Sequence, residues 1–343
     1  MLELAKDRGI FYSPRDSRET LANNLSLLPQ DYHDLNLILD QREHSGRAEK
    51  LTSIVLNTQL SIDEIKEVSD DYREQAPGDE KVITHQDGTN KYLVTVQYSE
   101  IDYSKNRLVQ RRPKQAGIEF IIEGDKTIVR MPANAKAKEI VHNLKERLDG
   151  KKKTDIPADL IELTEFTNSE QRTEFFTSLI SKLPDFKLDD VTSVKVESNI
   201  KEVDENELDL EDDQDAEQAG QEMLALVKNV AFKGQSLLAS TEYQQLRAKG
   251  FFITSIIWRS KQTISPYFIV EYEAGFEEPD AGRGFKYIVR GAFHFQNREY
   301  TKTLRPISPE HKQQLLSLIE QTAHRTLAEI RNKVEEVAAD HTD

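Results

Sequence analysis

Between Lys105 and Lys114 the sequence carries five basic side chains, Lys105, Arg107, Arg111, Arg112 and Lys114, with no acidic residue among them and with Tyr98 and Tyr103 just upstream. Guanidinium and ammonium groups at this density are phosphate ligands, and tyrosine rings offer surfaces on which bases stack. The chemistry implied is electrostatic capture of a nucleic acid rather than bond making. A solvated β-connection has the same composition, so the reading depends on where the elements place these residues. Lys136, Lys138, Lys145, Arg147 and Lys151–Lys153 follow within the same stretch of chain. They would enlarge the patch if they shared its face.

A second basic site lies at the N-terminus. Leu2, Ala5, the Gly9-Ile10 pair, Ser13-Pro14-Arg15, Arg18, Leu21 and Leu25 occur in that order. This spacing resembles the SAP-type helix–extended-loop–helix module. The resemblance covers residues 1–28 of 343 and implies a DNA-binding unit. Arg15, Arg18 and the positive end of the second helix would face phosphates together. An ordinary helical hairpin with a Ser-Pro turn produces the same pattern.

Two further features bear on function. The residues alternating with the apolar face of the last strand, Lys286, Ile288, Arg290, Ala292 and His294, are expected to form either an open binding surface or the wet side of a one-sided sheet. Glu202–Glu217 contains ten acidic residues and no basic one. It is expected to be a self-repelling linker, and a basic partner or competition with nucleic acid for the basic loop are the alternatives. The run supplies most of the net charge of −15, so the overall acidity does not exclude a nucleic-acid partner. Phosphate contact must then come from local patches.

Recognisable catalytic chemistry is missing from the sequence. No phosphate-binding glycine motif occurs, since Gly282-Arg283-Gly284 precedes a strand rather than a helix. Gly234-Gln235-Ser236 lacks the second glycine of a nucleophile elbow. The chain has no cysteine, and its eight histidines form no zinc motif. Laid on a calcium loop from Asp209, position six is Gln214 and position twelve is Gly220, neither of which suits the ion. The Glu-x-Lys triplets at Glu64 and Glu310 fall on expected helix surfaces. No cofactor and no metal are expected. An enzyme using an unrecognised carboxylate pair stays open.

The elements that would hold these residues are read from periodicity. Helices are expected at Leu2–Arg8, Ser17–Leu27, Gln30–Asp40 and from the Ser61–Glu64 capping box. Lys91–Ser99 reads as a strand. Ile118–Ile122 and Thr127–Met131 read as a hairpin around Glu123–Lys126, and a helix capped by Asn134 closes at Gly150. Gly150–Thr154 reads as a linker. Asn168 starts a helix that stops at Pro184, and Val191–Val196 reads as a strand. A helix near 217–232 and another from Ser240 to Lys249 lead into three strands. The first puts Phe252, Thr254, Ile256 and Trp258 on one face, the second Phe268, Val270 and Tyr272. The third puts Phe285, Tyr287, Val289, Gly291, Phe293 and Phe295 on one face. The last helix runs from Ser308-Pro309 to about Ala338, with Leu316, Ile319, Ala323, Leu327, Ile330, Val334 and Val337 as its apolar stripe.

The expected fold class is α+β, in the order of a helical N-terminal domain (1–76), a small β-hairpin/helix module (90–150), a helix–strand segment (155–200), the acidic linker (201–217) and a C-terminal antiparallel sheet packed on a long helix (218–343). No apolar run reaches the ~20 residues of a membrane span, and the N-terminus lacks a signal-peptide pattern, so a cytoplasmic location is expected. The leading functional expectation is a non-enzymatic DNA- or nucleic-acid-binding protein that also self-associates or docks a protein. The alternative is a protein-binding subunit of a larger prokaryotic assembly, in defence or genome maintenance.

Overall fold

The computed structural model describes residues 5–6, 9–28, 49–101, 110–198, 229–233, 237–296 and 298–340. The elements in chain order are α1 (Arg18–Ser26), β1 (Leu51–Leu56), α2 (Ile62–Gln75), β2 (Lys81–Asp87), β3 (Lys91–Ile101), β4 (Arg111–Glu123), β5 (Lys126–Pro132), α3 (Ala135–Lys152), β6 (Ala158–Leu160), α4 (Ser169–Ser181), β7 (Phe186–Ser198), β8 (Asn229–Lys233), α5 (Thr241–Ala248), β9 (Phe251–Gln262), β10 (Ile269–Glu278), β11 (Arg283–Phe293), β12 (Phe295–Gln296), β13 (Glu299–Tyr300) and α6 (Pro309–Asp340). The fold is mixed α+β and divides into two compact units. The first comprises Met1–Glu49 and Leu56–Pro157, the second Lys50–Val55 and Ala158–Asp343.

In the first unit four antiparallel strands lie in the order β2-β3-β4-β5. Alternation puts Tyr92, Val94, Val96 and Tyr98 of β3 beside Ala116, Ile118 and Phe120 of β4. Ile65, Val68 and Tyr72 of α2 and Ile140, Val141, Leu144 and Leu148 of α3 are buried, α2 packing on β2 and β3 and α3 on β4 and β5. The Ser61 hydroxyl accepts from the Glu64 amide while the Glu64 carboxylate accepts from the Ser61 amide at 2.7 Å, the reciprocal cap expected from the sequence. Asn134 caps α3 as expected.

The expected linker at Gly150–Thr154 is helix instead, up to Lys152, with Lys153 in the left-handed conformation as its cap. The lysines hold it there. Lys151 pairs with Glu67 at 2.7 Å and Asp71 at 3.1 Å, and Lys152 with Glu64 at 3.2 Å, all on α2. Positive charge also complements the helix's own C-terminus.

The second unit is a six-stranded antiparallel sheet in the order β1-β11-β10-β9-β7-β8, with β6 beside β1. The helix α4 packs on β9 and against α6, and α6 packs on β11. Leu316, Ile319, Ala323, Leu327 and Ile330 are buried as the stripe requires, whereas Val334 is exposed. Residues 229–233, expected to end a helix, form β8 paired to β7; the rest of that expected helix, the Gln30–Asp40 helix and the acidic run lie outside the described residues.

Two bulges correct the expected strand faces. On β9 the register slips at Thr254, between Lys195↔Ser255 and Val196↔Ile253. The core therefore takes Phe251 and Ile253, then Ile256 and Trp258, not the even positions throughout. On β11 the extra residue is Arg290, between Tyr272↔Val289 and Glu271↔Gly291. Phe285, Tyr287 and Val289 enter the core as expected, but Ala292 follows them instead of Gly291 and Phe293.

One buried cation ties loops to this core. Arg172 on α4 is 5% exposed. Its Nε donates to the Phe166 carbonyl at 2.7 Å and its Nη1 to those of Pro279 and Asp280 at 3.1 and 3.0 Å. Its guanidinium lies 4.8 Å from the Phe252 ring centroid, and burial pushes its pKa down. Arg172→Met is expected to cost about 3 kcal/mol, because it strips the donors from three carbonyls. A urea titration measures this.

Candidate nucleic-acid interface

Where the basic stretch expected as a loop is described, at residues 98–101 and 111–114, it is strand. β4 begins at Arg111, and its pairing with β3 runs from Ile101↔Arg111 to Lys91↔Ile121. The neighbours are shorter. β2 pairs with β3 only as far as Lys81↔Gln97, and β5 pairs with β4 only from Glu119 onward. Beyond Tyr98, then, the described residues of β3 and β4 pair only with each other, as a two-stranded ribbon. Tertiary pairing overrides a local composition that has no apolar alternation to mark it as strand.

Arg111, Arg112 and Lys114 are on this ribbon. Arg111 and Lys114 are exposed, and Arg112 is half-buried. Alternation puts Arg111 and Pro113 on one face and Arg112 and Lys114 on the other. Glu100 is the cross-strand partner of Arg112 and pairs with Lys114 at 2.6 Å, which raises the lysine's pKa. An exposed pair of this kind contributes little stability and yields readily to a phosphate. Tyr98 is buried beside Lys114; burial raises the pKa of its hydroxyl, so it is a wall of the ribbon's base rather than a stacking surface. Tyr103, Lys105 and Arg107 fall between the two strands, outside the described residues.

Five of the seven downstream cations are engaged away from the ribbon. Lys136 pairs with Glu80 and Glu139 at 2.6 and 3.0 Å, and Lys145 with Asp149 and Asp155 at 2.7 Å each. Arg147 donates to Gln75 at 2.8 Å and lies over the Tyr72 ring. Arg147, Lys151 and Lys152 thus join α3 to α2, while Lys136 and Lys145 pair within α3 and with the segments beside it.

At the N-terminus, Gly9 takes φ +71°, and the Gly9 and Ile10 amides donate to the Lys6 and Ala5 carbonyls, both at 2.9 Å. This is a glycine-terminated helix end. Ser13 to Asp16 forms a tight turn, with the Arg15 amide on the Ser13 hydroxyl at 3.2 Å. Ser17 caps α1, which opens at Arg18. Arg15 is exposed. Asp16 and Glu19 flank this helix start, so its field is less positive than the arginines alone suggest.

The alternating face of β11 is not an open basic surface. Arg290 pairs with Glu271 and Glu273 at 3.4 and 3.7 Å, Ile288 is buried, and the bulge turns Ala292 into the core. Sequence reasoning missed a different surface at the end of this sheet, where Ile264, Tyr267 and Phe295 are all exposed large apolar residues. The clustering of aromatics in Tyr267-Phe268 and Phe293–Tyr300 was its only signal.

Among the described residues no group of three or more His, Asp or Glu side chains is placed to hold a metal ion, and no helix is long and apolar enough to cross a membrane. No protein-family model matches the chain, and no curated protein matches it closely enough to count as a relative.

Proposed function

We propose that the chain binds nucleic acid, without catalysing a reaction on it, and that the β3–β4 ribbon makes the principal contact. The observation that carries this is the length mismatch. Two strands outrun both their neighbours, and the part that outruns them holds Arg111, Arg112 and Lys114. A two-stranded ribbon is narrow enough to enter the major groove of a duplex, and its exposed cations release counterions on contact with phosphates. Tyr103, Lys105 and Arg107, which join the two strands, supply two more cations and a ring. The N-terminal module adds Arg15 and Arg18 as a secondary phosphate contact, supported by its resemblance to SAP-type modules and by the exposed turn before α1.

Binding of a labelled duplex at about 50 and 200 mM salt tests the proposal. The wild-type protein is expected to lose affinity steeply across that range. Arg111→Ala/Arg112→Ala is expected to weaken binding and to flatten the dependence on log salt by about two, roughly 0.9 for each lost contact. No duplex binding by the wild-type protein at the lower salt overturns the reading.

The second reading is a protein-binding subunit of a larger assembly. It is favoured by Phe11 and Leu27 in the N-terminal module, which are 80% and 79% exposed. Co-purification of a partner that Phe11→Ser/Leu27→Ser releases would support it.

A further inference from the structure

The second unit ends in a cluster of exposed rings. The chain turns between β9 and β10 through Ile264 and Tyr267, 49% and 50% exposed, and β11 leads into the short β12–β13 hairpin, where Phe295 is 45% exposed. These segments are joined. The Tyr300 hydroxyl donates to the Tyr267 carbonyl at 3.1 Å, and the Phe295 and Tyr300 rings lie 5.0 Å apart. Lys261 Nζ stands 5.4 Å from the Tyr300 ring centroid. The residues next to them in sequence make ring contacts of their own: Phe268 stacks on His294 at 4.3 Å and on His311, at the start of α6, at 5.7 Å.

The charge around them has one prevailing sign. Arg298, Lys302 and Arg305 follow in the same segment, exposed, against Glu299. Neither Lys261 nor these three has an ion-pair partner among the described residues. Exposed rings joined to a segment that carries unpaired cations match a ligand that is flat, apolar on its faces and anionic along its length.

We infer that this end of the second unit is a stacking platform for single-stranded nucleic acid, in which unpaired bases lie on Tyr267 and Phe295 and the backbone runs past Lys261 and the cations of 298–305. The inference rests on the nucleic-acid reading of the chain, but it involves a different unit and a different form of the ligand. A duplex keeps its base faces stacked internally and cannot use the rings.

Labelled oligothymidylate of about 20 nucleotides, whose bases stack weakly on one another, is the probe, with a duplex of equal length in parallel. Two variants are used. Tyr267→Asn/Phe295→Ala removes both rings, asparagine being chosen because Tyr267 has φ +59°, which asparagine tolerates. Lys261→Gln removes only a charge, with thermal melting to confirm folding of each. The ring variant is expected to lose about tenfold or more in oligothymidylate affinity while duplex affinity is unchanged, and Lys261→Gln to lose several-fold in a salt-dependent way. Oligothymidylate binding by Arg111→Ala/Arg112→Ala at the wild-type level also supports the platform, even if duplex binding has failed. A wild-type protein that binds duplex but not oligothymidylate overturns the platform and leaves the ribbon standing. So does oligothymidylate binding that both platform variants retain in full.

Discussion

Replacing residues 99–113 by an Asn-Gly turn is expected to abolish duplex binding at physiological salt and to leave the melting temperature nearly unchanged. Tyr98 and Lys114 are directly paired across the ribbon, so a two-residue turn of this type closes the hairpin without altering its register. The deletion removes Lys105, Arg107, Arg111 and Arg112. At roughly 0.9 per phosphate contact the salt slope falls by about three to four, a loss of a hundredfold or more in affinity near 0.15 M salt. Stability is spared because the excised strand residues pair only with each other, and the ion pair of Lys114 with Glu100 is exposed and weak. A large drop in melting temperature would mean that the ribbon supports the first unit. Unchanged duplex affinity would remove it as the binding element.

Gly291→Ala is expected to destabilise the second unit by about 4 kcal/mol. Gly291 has φ +151°, where a side chain is strained by roughly 1–3 kcal/mol. The space is closed as well: a Cβ there would meet the Arg305 carbonyl oxygen at 2.7 Å and Leu304 Cγ at 2.9 Å. The Arg305 carbonyl cannot retreat, because Ala292 and Arg305 exchange two backbone hydrogen bonds of 2.9 Å. Overpacking adds a comparable cost. The control is Gly88→Ala, at φ +71° with open space around it, which should lose only about 1 kcal/mol. Denaturant midpoints for the two variants test the difference, and equal losses would mean that Arg305 moves aside.

The features that local sequence specifies were legible in advance. The Ser61 and Asn134 caps, the hairpin at Glu123–Lys126 and the buried stripe of α6 all follow from residue types within a few positions of one another. The features that depend on distant pairing were not. Nothing in Phe251–Gln262 announces a bulge at Thr254, because the extra residue is defined by β7 on one side and by Gly275 on the other, whose missing side chain leaves room for the Thr254 carbonyl. β1 and β2 were missed as strands, β2 because Lys81–Asp87 buries only Val82 fully and its alternation is faint. The basic stretch was found by charge, but its ribbon geometry comes from the partner strand. The lysines at 151 and 152 looked free for phosphate because the α2 carboxylates that claim them are some eighty residues away. The ring cluster assembles from two segments about thirty residues apart and so had no local motif.

The chain has a single tryptophan, and its position has an optical consequence. Trp258 is fully buried in the second unit, stacked on Tyr272 with ring centroids 5.2 Å apart. Its emission is that of an indole shielded from solvent and shifts to the red only when that unit opens. The first unit has no tryptophan and contributes only to the far-ultraviolet dichroism and tyrosine signals. Fluorescence and dichroism recorded through one thermal ramp therefore follow different parts of the molecule. Coincident transitions mark one cooperative system, and separated transitions give each unit its own midpoint without any label being introduced.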